Sequence, residues 1–328
     1  NDRPGIMLAG GVRSYLNRYD VTAGHNVTVF TNNNDGWRTA EDMVQNGVNV
    51  AAIIDTRKTP DIAPPQGVRV ITGAGIAGTK GRLRVRSLTT TTGETIATDA
   101  IAVSGGWSPS VHLTCHHRGR PQWRDDIAGF IPGGELPSGM RVVGAANGHM
   151  MLSEALKTGQ DAAIAAAKDL GKSITAKALP KTEDRSFGIE AKWHVGTDAL
   201  SSGKVRAWVD FQNDVTTKDI KLAQQEGFEA VEHMKRYTTL GMATDQGKTA
   251  NIPGLAVMAE ITGKSIPEVG TTIFRPPYTP VPIASFVGRA RGQDYRATRL
   301  PASHAWAQEQ GAVFIESGAW MRAQWFPQ

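Results

Sequence analysis

Apolar residues in the first part of the chain recur at spacings that predict alternating helices and strands. Residues 6–19 have helical spacing and predict an amphipathic helix with no strand before it. Residues 26–30 predict a short strand, residues 37–45 a helix, and residues 48–54 a buried strand that ends at Asp55. This strand–loop–helix–strand order, with an acid after the second strand, is typical of a doubly wound nucleotide-binding domain.

The loop at residues 31–36 stands where such a domain carries phosphate-binding glycines, but its sequence is Thr-Asn-Asn-Asn-Asp-Gly. Asparagine tolerates left-handed backbone, so the turn can form, although a phosphate cannot approach the backbone as closely as it approaches glycine. In a dinucleotide domain the acid after the second strand binds ribose hydroxyls. For Asp55 we favour a turn-forming role over ribose binding.

A literal G-x-G-x-x-G motif occurs at residues 73–78, after a predicted strand at residues 68–72. An alternating strand pattern at residues 83–88 follows it, and a strand at residues 95–102 completes a meander. Because no helix begins after the motif, no helix N-terminus is available to attract a pyrophosphate. We therefore interpret this motif as a turn between strands.

Small residues follow two further predicted strands. Residues 100–109 predict a buried strand that opens into a glycine turn, and residues 140–148 predict a strand with a small-residue loop. This loop leads into an alanine-rich helix at residues 153–170. Small residues between a strand and a helix allow a dinucleotide to approach closely, and ordinary strand–helix packing explains them equally well. The loop residues that would contact a dinucleotide are Gly144, Ala145, Asn147 and Gly148.

The second half of the chain predicts a small helical domain. From Gly171 the sequence is polar and rich in proline and lysine, which is typical of a linker, and residues 205–211 predict a strand. Thr216 or Thr217 is a plausible N-cap for the first helix that follows. The predicted helices are at residues 217–227, 230–237 and 251–263.

These patterns divide the chain into five parts. The predicted parts are an α/β domain at 1–172, a linker at 173–203, the helical domain at 204–266, an extended proline-rich segment at 267–288, and the start of another domain at 289–328. The first predicted helix begins at once, and the last segment is too short to form a core. We therefore expect the chain to be a portion of a longer polypeptide.

A basic, glycine-containing segment at residues 235–248 is the main candidate for a binding loop. Its glycines, Gly241 and Gly247, allow backbone N–H groups to approach an anion while lysine and arginine side chains supply charge. The alternative is a solvated helix end followed by a turn. The candidate contacts are Lys235, Arg236, Thr239, Gln246 and Lys248.

Composition narrows the classes of partner. Hydrophobic residues make up 40% and charged residues 20% of the chain, and no apolar run approaches the ~18 residues of a membrane span. The net charge of +5 is spread along the sequence without a basic block, which argues against nucleic acid. One cysteine, Cys115, fits a reducing compartment, so we expect a cytoplasmic protein. The run Cys115-His116-His117 has no second ligand group at metal-binding spacing.

Several segments resemble the α subunits of heterotetrameric sarcosine oxidases. They include Val-Asp-Phe-Gln-Asn-Asp-Val-Thr at residues 209–216, the basic loop at 235–248, and Phe-Arg-Pro-Pro-Tyr-Thr-Pro at 274–280. Residues 3–10 and 16–19 agree with the same family. The resemblance implies an α/β domain of the two-dinucleotide-binding (disulfide-reductase-like) type, incomplete at its N-terminus. It also implies a helical domain like a [2Fe–2S] carrier, and an aminomethyltransferase-like domain beginning near residue 289.

The resemblance also implies cofactors and partners. NAD would bind the nucleotide domain, with its glycine motif upstream of residue 1 and only the half-site around residues 144–148 present. FMN would lie at the contact with a β subunit that carries FAD and the amine-oxidising site, and γ and δ subunits would complete the complex. Tetrahydrofolate would bind the C-terminal domain. The implied reaction converts sarcosine and oxygen to glycine and hydrogen peroxide, with no general base for the amine in this chain.

In related opine- and cyanide-oxidising oxidoreductases, four cysteines hold an iron–sulfur cluster in the small helical domain. The corresponding positions here are Asp210, Gln212, Asp245 and Ala250. Oxygen ligands and alanine do not replace the thiolates that such a cluster requires. We therefore expect no cluster, and a loop that contacts the flavin phosphate or a partner subunit.

Two other functions stay open at this point. The chain could be the corresponding subunit of a proline or opine dehydrogenase, although the start of a folate-type domain argues against that. It could also be a non-catalytic scaffold subunit stabilised by NAD.

Overall fold

A computed structural model describes residues 3–116, 119–195, 206–272, 274, 276, 278–292 and 295–327. The chain forms two compact units, Asn1–Tyr278 and Thr279–Gln328. The division falls inside the predicted proline-rich segment at 267–288. The other predicted domain boundaries stay predictions.

A five-stranded parallel sheet forms the centre of the first unit, with the strand order β1-β8-β2-β3-β4. A separate antiparallel meander joins β5, β6 and β7. The strands are β1 Ile6–Leu8, β2 Asn26–Thr31, β3 Asn49–Asp55, β4 Val70–Thr72, β5 Ile76–Lys80, β6 Ser87–Thr90, β7 Thr95–Ala97 and β8 Ala100–Ser104.

The first element corrects a prediction, because the segment predicted to be all helical begins with a strand. Residues 6–8 form β1, which pairs with β8 from Ile101 to Val103, and helix α1 then runs Ala9–Tyr19. Three apolar residues fit helical and strand spacing equally well, and pairing with a strand about 95 residues away decides the outcome.

The predicted unit around the asparagine-rich loop is confirmed, but its helix begins earlier than predicted. Helix α2 runs Asn34–Gln45, and the Asn33 side chain caps it by accepting hydrogen bonds from the backbone N–H groups of Asp35 and Gly36 at 2.9 and 3.3 Å. A Cβ on Gly36 would lie 2.3 Å from Thr31 Oγ1, so glycine allows this turn to pack against the end of β2. The last three loop residues, 34–36, are therefore the first turn of the helix.

The meander confirms that residues 73–78 are not followed by a helix. The second half of the G-x-G-x-x-G motif lies in β5. Of the strand predicted at 83–88, only the last two residues are in a strand, since β6 begins at Ser87. The strand predicted at 95–102 is divided into β7 and β8. Asp99 lies in the gap between them, and its carboxylate accepts backbone hydrogen bonds from His25 and Asn26 at 3.0 and 2.9 Å.

The described residues between β8 and residue 172 form short elements and one long helix. The prediction of a strand before Gly144 is wrong, because residues 140–143 pair with none of the described strands. The elements are α3 His112–Cys115, β9 Gln122–Arg124, β10 Gly129–Ile131, the 3₁₀ turns Asp125–Ile127 and Gly144–Asn147, and α4 Leu152–Asp169.

A small helical layer follows, and its core also includes Phe130 of β10. Its largest fully buried side chains are Ile220, Met234, Leu240, Leu255 and Met258. The elements are β11 Trp208–Asp210, β12 Val215–Thr216, α5 Thr217–Gln225, α6 Val231–Thr238, α7 Asn251–Thr262 and α8 Ile266–Val269.

Thr216 is the N-cap of α5, as predicted. The Asp219 carboxylate accepts hydrogen bonds from the Thr216 backbone N–H and hydroxyl, both at 2.7 Å. This reciprocal capping pattern fixes the start of α5.

The second unit contains two short helices and an antiparallel hairpin. These are α9 Ala284–Val287, α10 His304–Glu309, β13 Val313–Ser317 and β14 Trp320–Trp325. Within the described ranges, no helix has both the length and the apolar character that crossing a bilayer requires.

Candidate functional site

The carboxyl edge of the parallel sheet is the place where an open α/β sheet binds nucleotides. Asp55 lies there at the end of β3 and is fully buried. Its Oδ2 accepts hydrogen bonds from Trp37 Nε1 and Arg57 Nη2, both at 2.7 Å. Arg57 is itself buried, so the pair forms an internal ion pair. This geometry favours the turn-forming role of Asp55 over ribose binding.

The predicted dinucleotide half-site at residues 144–148 contains a 3₁₀ turn, Gly144–Asn147, that ends at Gly148. Gly144 and Gly148 have left-handed backbone, with φ of 59° and 79°. Gly144 N–H donates to Thr158 Oγ1 at 3.2 Å, which ties the turn to α4. Ala145 is exposed and Asn147 is half-buried. The turn therefore presents Ala145 and Asn147 outward, while the two glycines are buried against the protein.

Protein carboxylates already bind the N-terminus of α4. Ser153 N–H donates to Asp184 Oδ1 at 3.0 Å, and Met151 N–H donates to Glu154 Oε2 at 3.5 Å. Hydrogen bonds from Ser153 hold the pKa of Asp184 below its ordinary value. Because Asp184 already accepts a hydrogen bond from this helix N-terminus, a pyrophosphate would have to displace it to bind there.

Two loops of the small helical layer, the turn after β11 and the basic loop, are joined by one buried carboxylate. Asp210, at the end of β11, is 1% exposed. Its Oδ1 accepts hydrogen bonds from Gln212 N and Asn213 N at 2.9 and 3.0 Å, and its Oδ2 accepts from Gly241 N at 2.7 Å. Asp210 therefore fixes its own turn and connects that turn to the basic loop.

The other three positions that correspond to cluster cysteines have separate surroundings. Gln212 is exposed, and its Oε1 lies 3.4 Å from Thr244 Oγ1 on the opposite loop. Asp245 Oδ1 accepts a hydrogen bond from Gly247 N at 3.1 Å, and Ala250 is buried just before α7. In the part of the chain that the structure describes, no three His, Cys, Asp or Glu side chains are placed to hold a metal.

Of the candidate contacts in the basic loop, two are turn-forming residues. Thr239 and Gln246 have left-handed φ of 65° and 55°. The Thr239 carbonyl accepts a hydrogen bond from Asn213 Nδ2 at 2.9 Å, and Gln246 Nε2 donates to Ala243 O at 3.3 Å. Their side chains and backbone thus shape the loop.

The basic pair lies in the last turn of α6, apart in sequence from Lys248. Arg236 is exposed and bonds to Glu232 on its own helix, with Nη1 3.0 Å from Oε2. Lys235 is half-buried. Both cations stand where the partial negative charge of the helix C-terminus attracts them.

Lys248 lies in a cluster that the sequence did not predict. Its Nζ donates to the Tyr278 carbonyl at 2.8 Å and lies 4.3 Å from the centre of the Tyr278 ring. His112 of α3 stacks on that ring, with centroids 4.1 Å apart. Burial, together with the positive charge of His116 and Lys248, lowers the pKa of His112. Tyr278 therefore connects the basic loop to α3.

The basic loop is built around a buried asparagine. Asn251 Nδ2 donates to Gln246 O at 3.1 Å, while its Oδ1 has no hydrogen-bond partner among the described residues. A Cβ on Gly241 or Gly247 would approach this oxygen to 2.4 or 2.1 Å. The two glycines are thus needed to accommodate Asn251, which gives them a packing role in addition to any role in anion binding.

Comparison with known proteins shows which proteins this chain is similar to. Residues 204–289, which contain both loops, match the family model described as the sarcosine oxidase A3 domain. The whole chain is 41% identical to sarcosine oxidase subunit alpha of Rhizobium meliloti (strain 1021) and 37% identical to that of Corynebacterium sp. (strain P-1). The chain is related to sarcosine oxidase α subunits throughout its length. The resemblance inferred from the sequence motifs is thereby confirmed.

The chain spans about a third of these sarcosine oxidase α subunits, 33% of the first and 36% of the second. Among solved structures, L-proline dehydrogenase from P. horikoshii has a TM-score of 0.61 and 16% identity. The match covers 87% of this chain and 54% of that one. At this identity the similarity shows the fold alone, a mixed α/β architecture with a parallel sheet.

Proposed function

We propose that the chain acts within a sarcosine-oxidising flavoenzyme complex, in the place of the α subunit. The observation that carries the proposal is its 41% identity to a sarcosine oxidase α subunit over the full length of the chain. In the proposed reaction, sarcosine is dehydrogenated at FAD on a β subunit, and its two electrons pass to FMN and then to oxygen, giving hydrogen peroxide. The resulting imine transfers its one-carbon unit to tetrahydrofolate, or is hydrolysed to glycine and formaldehyde.

In this proposal the basic loop contacts the FMN phosphate at the interface with the β subunit. Lys248 supports this role because its ammonium group is exposed and is held in place by Tyr278. Lys235 and Arg236 would add charge from the end of α6, and Thr239 and Gln246 would hold the turn. Asp210 positions the loop by connecting it to the turn after β11.

NAD would bind at the turn of residues 144–148, where Ala145 and Asn147 are accessible. Its phosphates would lie beside the turn and not at the N-terminus of α4, since Asp184 binds there. Tetrahydrofolate would bind a domain that begins near residue 289. We place the complex, with its β, γ and δ subunits, in the cytoplasm, which suits a chain with a single cysteine.

A peroxide assay on the complete subunit purified with its partners tests this function. We expect peroxide formation that depends on sarcosine and is absent with L-proline as substrate. Oxidation of L-proline in place of sarcosine would favour the dehydrogenase alternative. Full sarcosine oxidation by the partners without this subunit would instead favour a scaffold role.

A further inference from the structure

A segment predicted as part of a linker lies across the nucleotide-binding edge of the parallel sheet. We call residues 186–195 the crossing segment. Glu190 N–H donates to Asn32 O at 3.0 Å, and Asn34 N–H donates to Gly188 O at 3.1 Å. These bonds flank an antiparallel bridge between Asn33 and Ile189. The crossing segment is therefore paired with the loop that would face a bound pyrophosphate.

The buried side chain of Arg57 binds the crossing segment. Arg57 Nη1 donates to Gly188 O at 2.8 Å and to Asn34 Oδ1 at 2.7 Å, while Nη2 binds Asp55. Arg57 is 5% exposed and Asp55 fully buried. Arg57 and Asp55 therefore already bind each other, and Arg57 also binds the crossing segment. Neither side chain is available to a ligand.

Glycines at the ends of neighbouring strands fit this segment closely. A Cβ on Gly106, after β8, would lie 2.5 Å from Ile189 Cδ1. A Cβ on Gly75, within the G-x-G-x-x-G motif, would lie 1.8 Å from Val195 Cγ1. In a nucleotide-binding domain, glycine leaves space for a phosphate to approach the backbone. Here that space is filled by side chains of the crossing segment.

We propose that the crossing segment fills the crevice above β2, β3 and β8, so that this crevice binds no dinucleotide. The segment supplies the hydrogen bonds and apolar contacts that a ligand would make there. Any NAD that the subunit holds binds elsewhere. This inference is independent of whether the complex oxidises sarcosine.

Hydrogen exchange of the complete subunit within its complex tests the inference without any mutation. Peptides that include Glu190 should exchange slowly, because its N–H is bonded in the crevice. Addition of saturating NAD or NADP should change their exchange rate by less than about twofold. Rapid exchange of these peptides, or faster exchange when a dinucleotide is added, would overturn the inference.

Two arginine substitutions distinguish an effect at the crevice from an effect elsewhere on the sheet. Arg57→Met should accelerate exchange of the crossing segment about tenfold or more, because Gly188 O loses its buried donor. Arg69→Met is the matched control, since Arg69 is exposed and pairs with Glu94. NAD content per subunit should be the same in both variants and in the unmodified complex.

A fall in NAD content with Arg57→Met but not with Arg69→Met would place the dinucleotide in the crevice and overturn the inference. If Arg57→Met does not fold, Ile189→Ala serves the same test. It removes the side chain that faces Gly106 and leaves the buried ion pair intact. The expected result is again faster exchange of the crossing segment with unchanged NAD content.

Discussion

The carboxylate of Asp210 offers the sharpest perturbation of the proposed flavin loop. Asp210→Ala leaves three backbone N–H groups without their acceptor, including the Gly241 N–H that joins the two loops. The Gly241 N–H is buried, and leaving it unsatisfied costs about 1–3 kcal/mol, whereas the partly exposed N–H groups of Gln212 and Asn213 each lose about 0.5–1.5 kcal/mol. If only the minimum costs apply, the loop loses ~2 kcal/mol, and a factor of ten in an equilibrium constant corresponds to about 1.4 kcal/mol.

We therefore expect hydrogen exchange at residues 239–250 to accelerate about 30-fold or more in Asp210→Ala. The measurement is exchange detected by mass spectrometry on the complete subunit in its complex. Asp210→Asn should give an intermediate effect, because the amide keeps the side-chain volume and one acceptor oxygen but places an NH₂ group against backbone donors.

Asn213→Ala is the matched control for this prediction. Its side chain also joins the two loops, through one exposed hydrogen bond to Thr239 O. A bond of this kind contributes about 0.5–1 kcal/mol, so exchange should accelerate only ~2- to 5-fold. Equal effects of Asp210→Ala and Asn213→Ala would refute the view that the buried carboxylate holds the loop.

Three further predictions concern stability, each measured by thermal unfolding of the complex. Asp219→Ala removes both capping bonds of α5 and should cost about 1–2 kcal/mol; an unchanged melting temperature would contradict the cap. Met258→Ala empties a fully buried site and should cost about 2–5 kcal/mol, unlike an exposed Met242→Ala. Burial raises the pKa of Asp99, but backbone hydrogen bonds from Asn26 and His25 outweigh it and leave the pKa lowered. The ionised Asp99 carboxylate stabilises the folded protein fully above the unfolded carboxyl pKa of ~4, and this stabilisation is lost as the pH falls through the pKa of Asp99 in the folded protein. Asp99→Asn should therefore lower the melting temperature at neutral pH and have no effect in acid.

Local patterns predicted the elements whose signals lie within a few residues. The helix after the asparagine-rich loop and the Thr216 cap follow from spacing and capping chemistry, and the structure contains both. The strand at residues 6–8 and the contacts of the crossing segment were not predictable in this way. Each depends on pairing with residues about 95 or 155 positions away, and nothing in the local sequence encodes that partner.

The candidate site shows the same limit. The glycines and cations of the basic loop were visible in the sequence, but their roles depend on contacts with distant residues. Asp210 was recognised only as a replaced cysteine position, although an aspartate followed by a polar turn is itself a signal for backbone hydrogen bonding. The stacking of His112 on Tyr278 joins residues 166 positions apart and had no sequence signal.

The ratio of FMN to FAD in the purified complex tests the central claim most directly. Lys235→Ala with Arg236→Ala, and separately Lys248→Ala, should lower FMN relative to FAD, because each removes cations from the proposed phosphate contact. Lys168→Ala with Lys172→Ala removes two exposed cations at the end of α4 and should leave the ratio unchanged. An FMN-to-FAD ratio equal to that of the unmodified complex in all three variants would contradict a flavin-binding role for the basic loop.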